Sequence, residues 1–102
     1  MEQTIILNLP YDLSEQDNEK VTAVYSEMDG WQAKTDFPCW FGTPNDAQYI
    51  TVSSKPSGLV VIGKVNGLIW MGWITKLCAK LSIALNREIY DAESEKAKPR
   101  RR

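Results

Sequence analysis

Carboxylates are the reactive groups this chain has in number. Its 102 residues include thirteen Asp and Glu, two cysteines and no histidine. Acid–base catalysis would therefore fall to a carboxylate pair, with Asp36 and Asp46, or Asp91 and Glu93, as the candidates. A retaining glycosidase built on such a pair needs its carboxyl groups about 5 to 5.5 Å apart. Nothing in the spacing of either pair brings them to that separation, and acids in a small domain are mostly solvated. The lack of histidine removes Ser–His and Cys–His nucleophilic pairs and most zinc sites. Two cysteines cannot complete a metal site alone, and Cys39 has no cation beside it in the sequence to favour a thiolate. Gly63, Gly67 and Gly72 fit neither a dinucleotide fingerprint nor a phosphate loop. No catalytic residue, metal or cofactor is expected.

Recognition remains. Trp31, Phe37, Trp40, Phe41 and Tyr49 are concentrated in the middle third of the chain. Aromatics on a sheet face can stack on single-stranded nucleic acid, but such a surface needs cations among them. From Trp31 to Ser54 the only cation is Lys34, against Asp36 and Asp46. A basic protein partner suits these residues better. Asp12, Glu15, Asp17, Glu19, Glu27 and Asp29 lie on and around the first predicted helix and would steer such a partner by their field. Tyr11, Trp31 and Trp40 supply aromatic anchors of the kind that concentrate binding energy. With Asp36 and Asp46 they make up the candidate partner-binding set. The competing reading is that the acids solubilise one helix face while the aromatics form core.

The elements that would position these residues follow from periodicity. Asn66 to Leu85 is the longest regular segment: Ile69, Trp70, Trp73, Ile74, Leu77, Leu81, Ala84 and Leu85 recur at helical steps, with Asn66 as N-cap. The segment is long enough to span a membrane, but Thr75-Lys76 interrupts it and a central lysine costs roughly 2.5 to 3.5 kcal/mol on insertion scales. It reads as the core helix of a soluble domain, with no membrane contact. Thr4 to Leu9 reads as a strand inside a sheet, ended by Pro10. Ser14 opens the first helix, with Val21, Val24, Tyr25 and Met28 facing inward and Asp29-Gly30 as its stop.

Residues 31–42 read as an extended segment that Pro38 interrupts or places at an edge. Gln48 to Ser54 and Leu59 to Val65 form a hairpin about Lys55-Pro56-Ser57-Gly58. Asn86 caps the second helix in the left-handed state, and Arg87 to Asp91 returns as a short final strand. The expected fold is α+β, a two-layer sandwich: a mainly antiparallel sheet of about four to five strands, with two helices on one face, in the order β-α-β-β-β-α-β.

The charges divide unevenly. Residues 1–95 carry seven Lys or Arg against all thirteen acids, a net −6, and residues 96–102 add five positive charges. The body, 1–95, reads as one globular domain with an acidic surface, and the tail as disordered. The tail gives the alternative function, a small regulatory protein associated with nucleic acid. With no export signal in the sequence the expected location is the cytoplasm, where Cys39 and Cys78 would be free thiols.

In size, in its acidic single domain and in three phrases, the chain resembles small bacterial immunity proteins, the antitoxin-like partners of contact-dependent or polymorphic toxins. The phrases are FPCWFG, DAQYITVSSKPSGLVV and CAKLSIALNREIYDAE, within residues 37–93. Asn86 departs from the resemblance, since a glycine is more usual at such a helix end. The resemblance implies a protein that is not an enzyme and that inhibits a toxin by stoichiometric binding, often over the toxin's active site. A basic toxin such as a nuclease is the partner it implies for an acidic surface.

Overall fold

The computed structural model describes residues 2–93. Its elements run β1 (Gln3–Leu7), α1 (Glu15–Glu27), β2 (Cys39–Trp40), β3 (Tyr49–Lys55), β4 (Gly58–Lys64) and α2 (Gly67–Leu85). The four strands form one antiparallel sheet in the order β1-β4-β3-β2. The fold is α+β, as the periodicity implies, and its acidic C-terminal boundary and basic tail fall outside the described residues.

The helices begin and end where side-chain chemistry dictates. Ser14 accepts from the Asp17 amide at 3.1 Å, and Asn66 accepts from Leu68 and Ile69 at 2.7 and 3.4 Å, satisfying amides that no helical carbonyl reaches. Asn86 stops α2 at φ 53°, left-handed, with its own amide and that of Arg87 closing the last turn. The turn between Lys55 and Gly58 fixes the β3–β4 register, in which Ile50 pairs with Gly63 and Val52 with Val61.

That register assigns the sheet's faces. Trp40, Ile50, Val61, Leu59 and Leu7 share the side that packs into the core with Val21, Val24 and Tyr25 of α1 and Trp70, Trp73, Ile74, Leu77 and Leu81 of α2. Gly63 is what lets α2 come this close. A methyl group built on it would overlap the ring of Trp70 and lie 3.2 Å from Ile50.

Several expectations change. β1 is an edge strand rather than an interior one, because the β3–β4 hairpin places β4 between β1 and β3. The extended segment 31–42 folds back on itself: Trp31 bridges Trp40, Gln32 donates to the Cys39 carbonyl at 3.0 Å and Phe41 to that of Gly30 at 2.7 Å. Pro38 has no amide to continue a ladder, so only Cys39–Trp40 remains a strand. Gly30 turns the chain at φ 86°, with the Phe41 ring against it.

The final strand shrinks to one bridge, Leu7 with Asp91. The Asn8 side chain takes over there. It donates to the Glu88 carbonyl at 3.0 Å and accepts from the Tyr90 amide at 2.7 Å, while the Asn8 amide donates to the Tyr90 carbonyl at 3.1 Å. These bonds hold Ile89 in the core without a ladder.

α2 is the one described helix long and apolar enough to cross a membrane, with a mean hydropathy of 1.4 over its apolar window, of which 28% is buried. Its core stripe is narrower than the periodicity suggests. Ile69 is exposed rather than packed, and Ala84 and Leu85 are half-buried.

A candidate partner-binding surface

α1 divides the expected partner-binding set between its two ends. Thirteen residues of helix span about 20 Å. At the N-terminal end, Tyr11 is 59% exposed and Asp12, Glu15 and Glu19 are all exposed. Glu15 and Glu19 stand one turn apart on the same face, and Glu15 lies in the first turn, where the helix dipole favours an anion. No ion pair reaches Asp12, Glu15 or Glu19 among the described residues.

At the other end the acids are neutralised within the molecule. Glu27 pairs with Lys80 at 3.4 Å and Asp29 with Lys76 at 3.6 Å, both across to α2. Asp17, in the first turn at the N-terminal end, is also paired, with Lys20 along α1 at 3.8 Å. These exposed pairs add little stability, but each sets a cation beside an acid and weakens the field a partner would meet. Of six acids expected to act together, three form an open negative patch.

Two more members of the set have structural duties. Trp40 is not a surface anchor, because it is fully buried. Its indole packs edge-on against Tyr25 and Trp73 and at a tilt against Trp31, with ring centroids 4.8 to 5.6 Å apart. Its Nε1–H donates to the Tyr25 carbonyl. Trp31, half-buried, leans on it from outside. Asp46 turns its carboxylate back on its own loop, accepting from the Thr43 amide at 2.7 Å and the Thr43 hydroxyl at 3.1 Å. Asp36 is exposed in the loop before β2.

No protein-family model, no curated protein and no solved structure matches this chain.

Asp36 and Asp46 occupy different loops, and Asp91 accepts from the Glu93 amide at 2.9 Å. No group of three His, Cys, Asp or Glu side chains suited to a metal occurs among the described residues. Cys39 is fully buried and Cys78 half-buried, both as free thiols. Burial, helped by the Asp91 charge, raises the Cys78 pKa and holds it as the neutral thiol.

The sequence reading missed an apolar surface. Leu68, Met71 and Ile83 of α2 are 82%, 67% and 83% exposed. Beside Ile83 an open groove of about 450 Å³ separates the two helices, floored by Ala23, Val24, Ile83 and Ala84 and rimmed by the Lys80–Glu27 pair. The signal was present, since Leu68, Met71 and Ile83 fall outside the buried stripe and make α2 apolar nearly all round.

Proposed function

We propose that this protein works by stoichiometric binding, as an immunity protein that neutralises a basic toxin domain, such as a nuclease, through the acidic patch at the start of α1. The observation that carries the reading is the contrast between the two ends of that helix. Glu27 and Asp29 hold lysines from α2, whereas Asp12, Glu15 and Glu19 are exposed beside Tyr11 with no internal counter-ion among the described residues. Open anionic charge beside an exposed aromatic is the combination that steers a cationic partner and then anchors it.

The experiment is association kinetics between the chain and the product of the adjacent gene, with an activity assay on that product. One-to-one inhibition is expected. Glu15→Lys with Glu19→Lys should slow association about tenfold or more at low salt, and the difference should vanish at high salt. Glu27→Lys with Asp29→Lys, on charges already paired, should change it much less. If the first pair of reversals leaves the low-salt rate unchanged, the acidic patch is not the contact surface.

A further inference from the structure

At Glu93, the last described residue, the chain stands beside β1, the strand that leads into α1. Asp91 bridges Leu7, and Tyr90 is held to Asn8 through both the backbone and the side chain. There the pairing stops. Ala92 and Glu93 are helical rather than extended, and the Asp91 carboxylate accepts from the Glu93 amide at 2.9 Å, which turns the chain off the edge of the sheet. The start of α1 is joined to this same strand through residues 8–14, whereas its end sits at β2, where Trp40 donates to the Tyr25 carbonyl. β1 and β2 are opposite edges of the sheet. The acidic patch therefore belongs to the edge from which the chain departs, and Asp36, in the loop before β2, to the other.

The reach is set by chain connectivity. Asp91 and Leu7 are paired residues, about 5 Å apart, and Leu7 to Asp12 spans at most about 18 Å. Asp12 thus lies within about 23 Å of Asp91. Extended chain from Asp91 to Arg100 covers up to about 32 Å. Arg100 and the residues after it can reach the patch.

What can arrive there is cationic. Residues 96–102 hold Lys96, Lys98, Arg100, Arg101 and Arg102 and no acid. Pro99 favours extended backbone at Lys98, and alternate residues of extended chain stand about 7 Å apart on one side. Arg100 and Arg102 are so spaced. Glu15 and Glu19, on successive turns of α1, are about 6 Å apart along its axis. A guanidinium offers its planar fork to the two oxygens of a carboxylate, and Asp12, Glu15 and Glu19 have no ion pair among the described residues. Tethering holds such a segment at an effective concentration on the order of millimolar, so contacts too weak to retain a separate peptide suffice. We infer that residues 96–102 fold back onto the acidic patch of their own molecule, with Arg100 to Arg102 against Asp12, Glu15 and Glu19. The consequence rests on the reading that a basic partner uses the same patch: that partner has to displace the tail, and weakly basic proteins are kept off.

Carbodiimide, which joins an amine to a carboxylate in contact with it, tests this in the full chain with no partner present. Arg101→Lys keeps the charge and supplies an amine at the far end. At low salt, mass spectrometry of the monomer should find that amine, or Lys98, joined to Asp12, Glu15 or Glu19. The Lys80–Glu27 and Lys76–Asp29 pairs, at 3.4 and 3.6 Å, are the internal controls. At about 1 M salt, where charges are screened beyond roughly 3 Å, the tail links should fall about tenfold or more. Glu15→Gln with Glu19→Gln should lower the remaining link to Asp12 about fivefold, because the field that holds the tail is gone; a tail merely tethered nearby would keep it. Control links without tail links overturn the inference, as do tail links found only between two copies. Adding the product of the adjacent gene should remove the tail links. Links that form alone and survive saturation with that product uphold the tail contact and take the patch away from the partner, whereas a partner that binds through the patch of a chain showing no tail links does the reverse.

Discussion

The indole Nε1–H of Trp40 donates to the carbonyl oxygen of Tyr25 at 2.9 Å, so a side chain from a two-residue strand closes the C-terminal end of α1. Trp73 does the same for Asp29 at 3.1 Å. The Tyr25 carbonyl, which also accepts from the Met28 amide at the helix end, thus gains a second donor from β2, and the Asp29 carbonyl, just past that end, takes one from α2. The chain organises its core at one junction, where α1 ends, β2 begins and α2 passes over both.

Trp40→Ala removes that junction. It opens a cavity under three aromatic rings and leaves the Tyr25 carbonyl without its indole donor. Loss of about 3 to 5 kcal/mol is expected, the range for a large buried aromatic, and a large fraction of the roughly 5 to 15 kcal/mol that stabilises a domain this size. Urea unfolding with secondary structure as the probe measures it. Trp40→Phe should cost less, since the ring contacts largely survive while the hydrogen bond does not. If Trp40→Ala unfolds at the wild-type midpoint, the junction does not hold the core.

How much of this was legible in the sequence depended on the range of the deciding interaction. The caps Ser14, Asn66 and Asn86, the Lys55–Gly58 turn and the inward stripe of α1 rest on contacts within a few residues, and the structure has them as read, whereas the α2 stripe keeps Trp70, Trp73, Ile74, Leu77 and Leu81 but not Ile69. The final strand was not legible, because the Asn8 side chain that replaces its ladder is some eighty positions away. The same holds for the candidate site. Type and spacing make Trp31 and Trp40 alike as anchors, and only the packing of Tyr25 and Trp73 around Trp40 separates them. Glu27 and Asp29 looked available because their lysines come from another helix.

Gly63→Ala tests the close approach of α2 to the sheet. The new methyl meets the Trp70 ring and Ile50 on the packed face, where neither neighbour can swing into solvent. Overpacking should cost roughly 1 to 3 kcal/mol, and a shifted Trp70 should change the near-ultraviolet dichroism. Trp70→Leu in the same chain should recover part of the loss by vacating the space. A Gly63→Ala protein as stable as wild type would mean that α2 is not seated on β4.

Alkaline pH should destabilise the fold through two tyrosines. Burial raises the Tyr25 pKa. At Tyr49 the hydrogen bond its hydroxyl donates to Glu2 at 2.7 Å raises it first, followed by burial and the Glu2 charge. Unfolded tyrosines ionise near pH 10. Above that pH the unfolded chain has lost protons the folded one keeps, so stability is fully present below about pH 10 and falls as pH rises beyond it. Urea midpoints across that range measure the slope. Tyr25→Phe, which keeps the ring and removes the titrating group, should make it shallower. An unchanged slope in Tyr25→Phe would show that Tyr25 ionises equally in both states.

The tether at Asn8 carries the last prediction. Its amide group serves both the Glu88 carbonyl and the Tyr90 amide, so Asn8→Ala leaves two backbone groups of the returning segment without their partners. Each lost bond costs about 0.5 to 1.5 kcal/mol net, and more where water cannot replace it. The Asn8 backbone amide still reaches Tyr90, and Ser82 still accepts from the Ile89 amide at 3.0 Å. The segment should therefore loosen locally while the sheet keeps its order. Hydrogen exchange separates the two outcomes. In Asn8→Ala the Tyr90 amide should exchange at least tenfold faster, about 1.4 kcal/mol of protection lost, with the β3–β4 amides slowed as before relative to the global unfolding limit. Asn8→Asp keeps the acceptor for Tyr90 but not the donor to Glu88, so Tyr90 should stay nearly as protected as in wild type. If instead Asn8→Asp exposes the Tyr90 amide as fully as Asn8→Ala does, the segment is held by Ile89 in the core rather than by the asparagine.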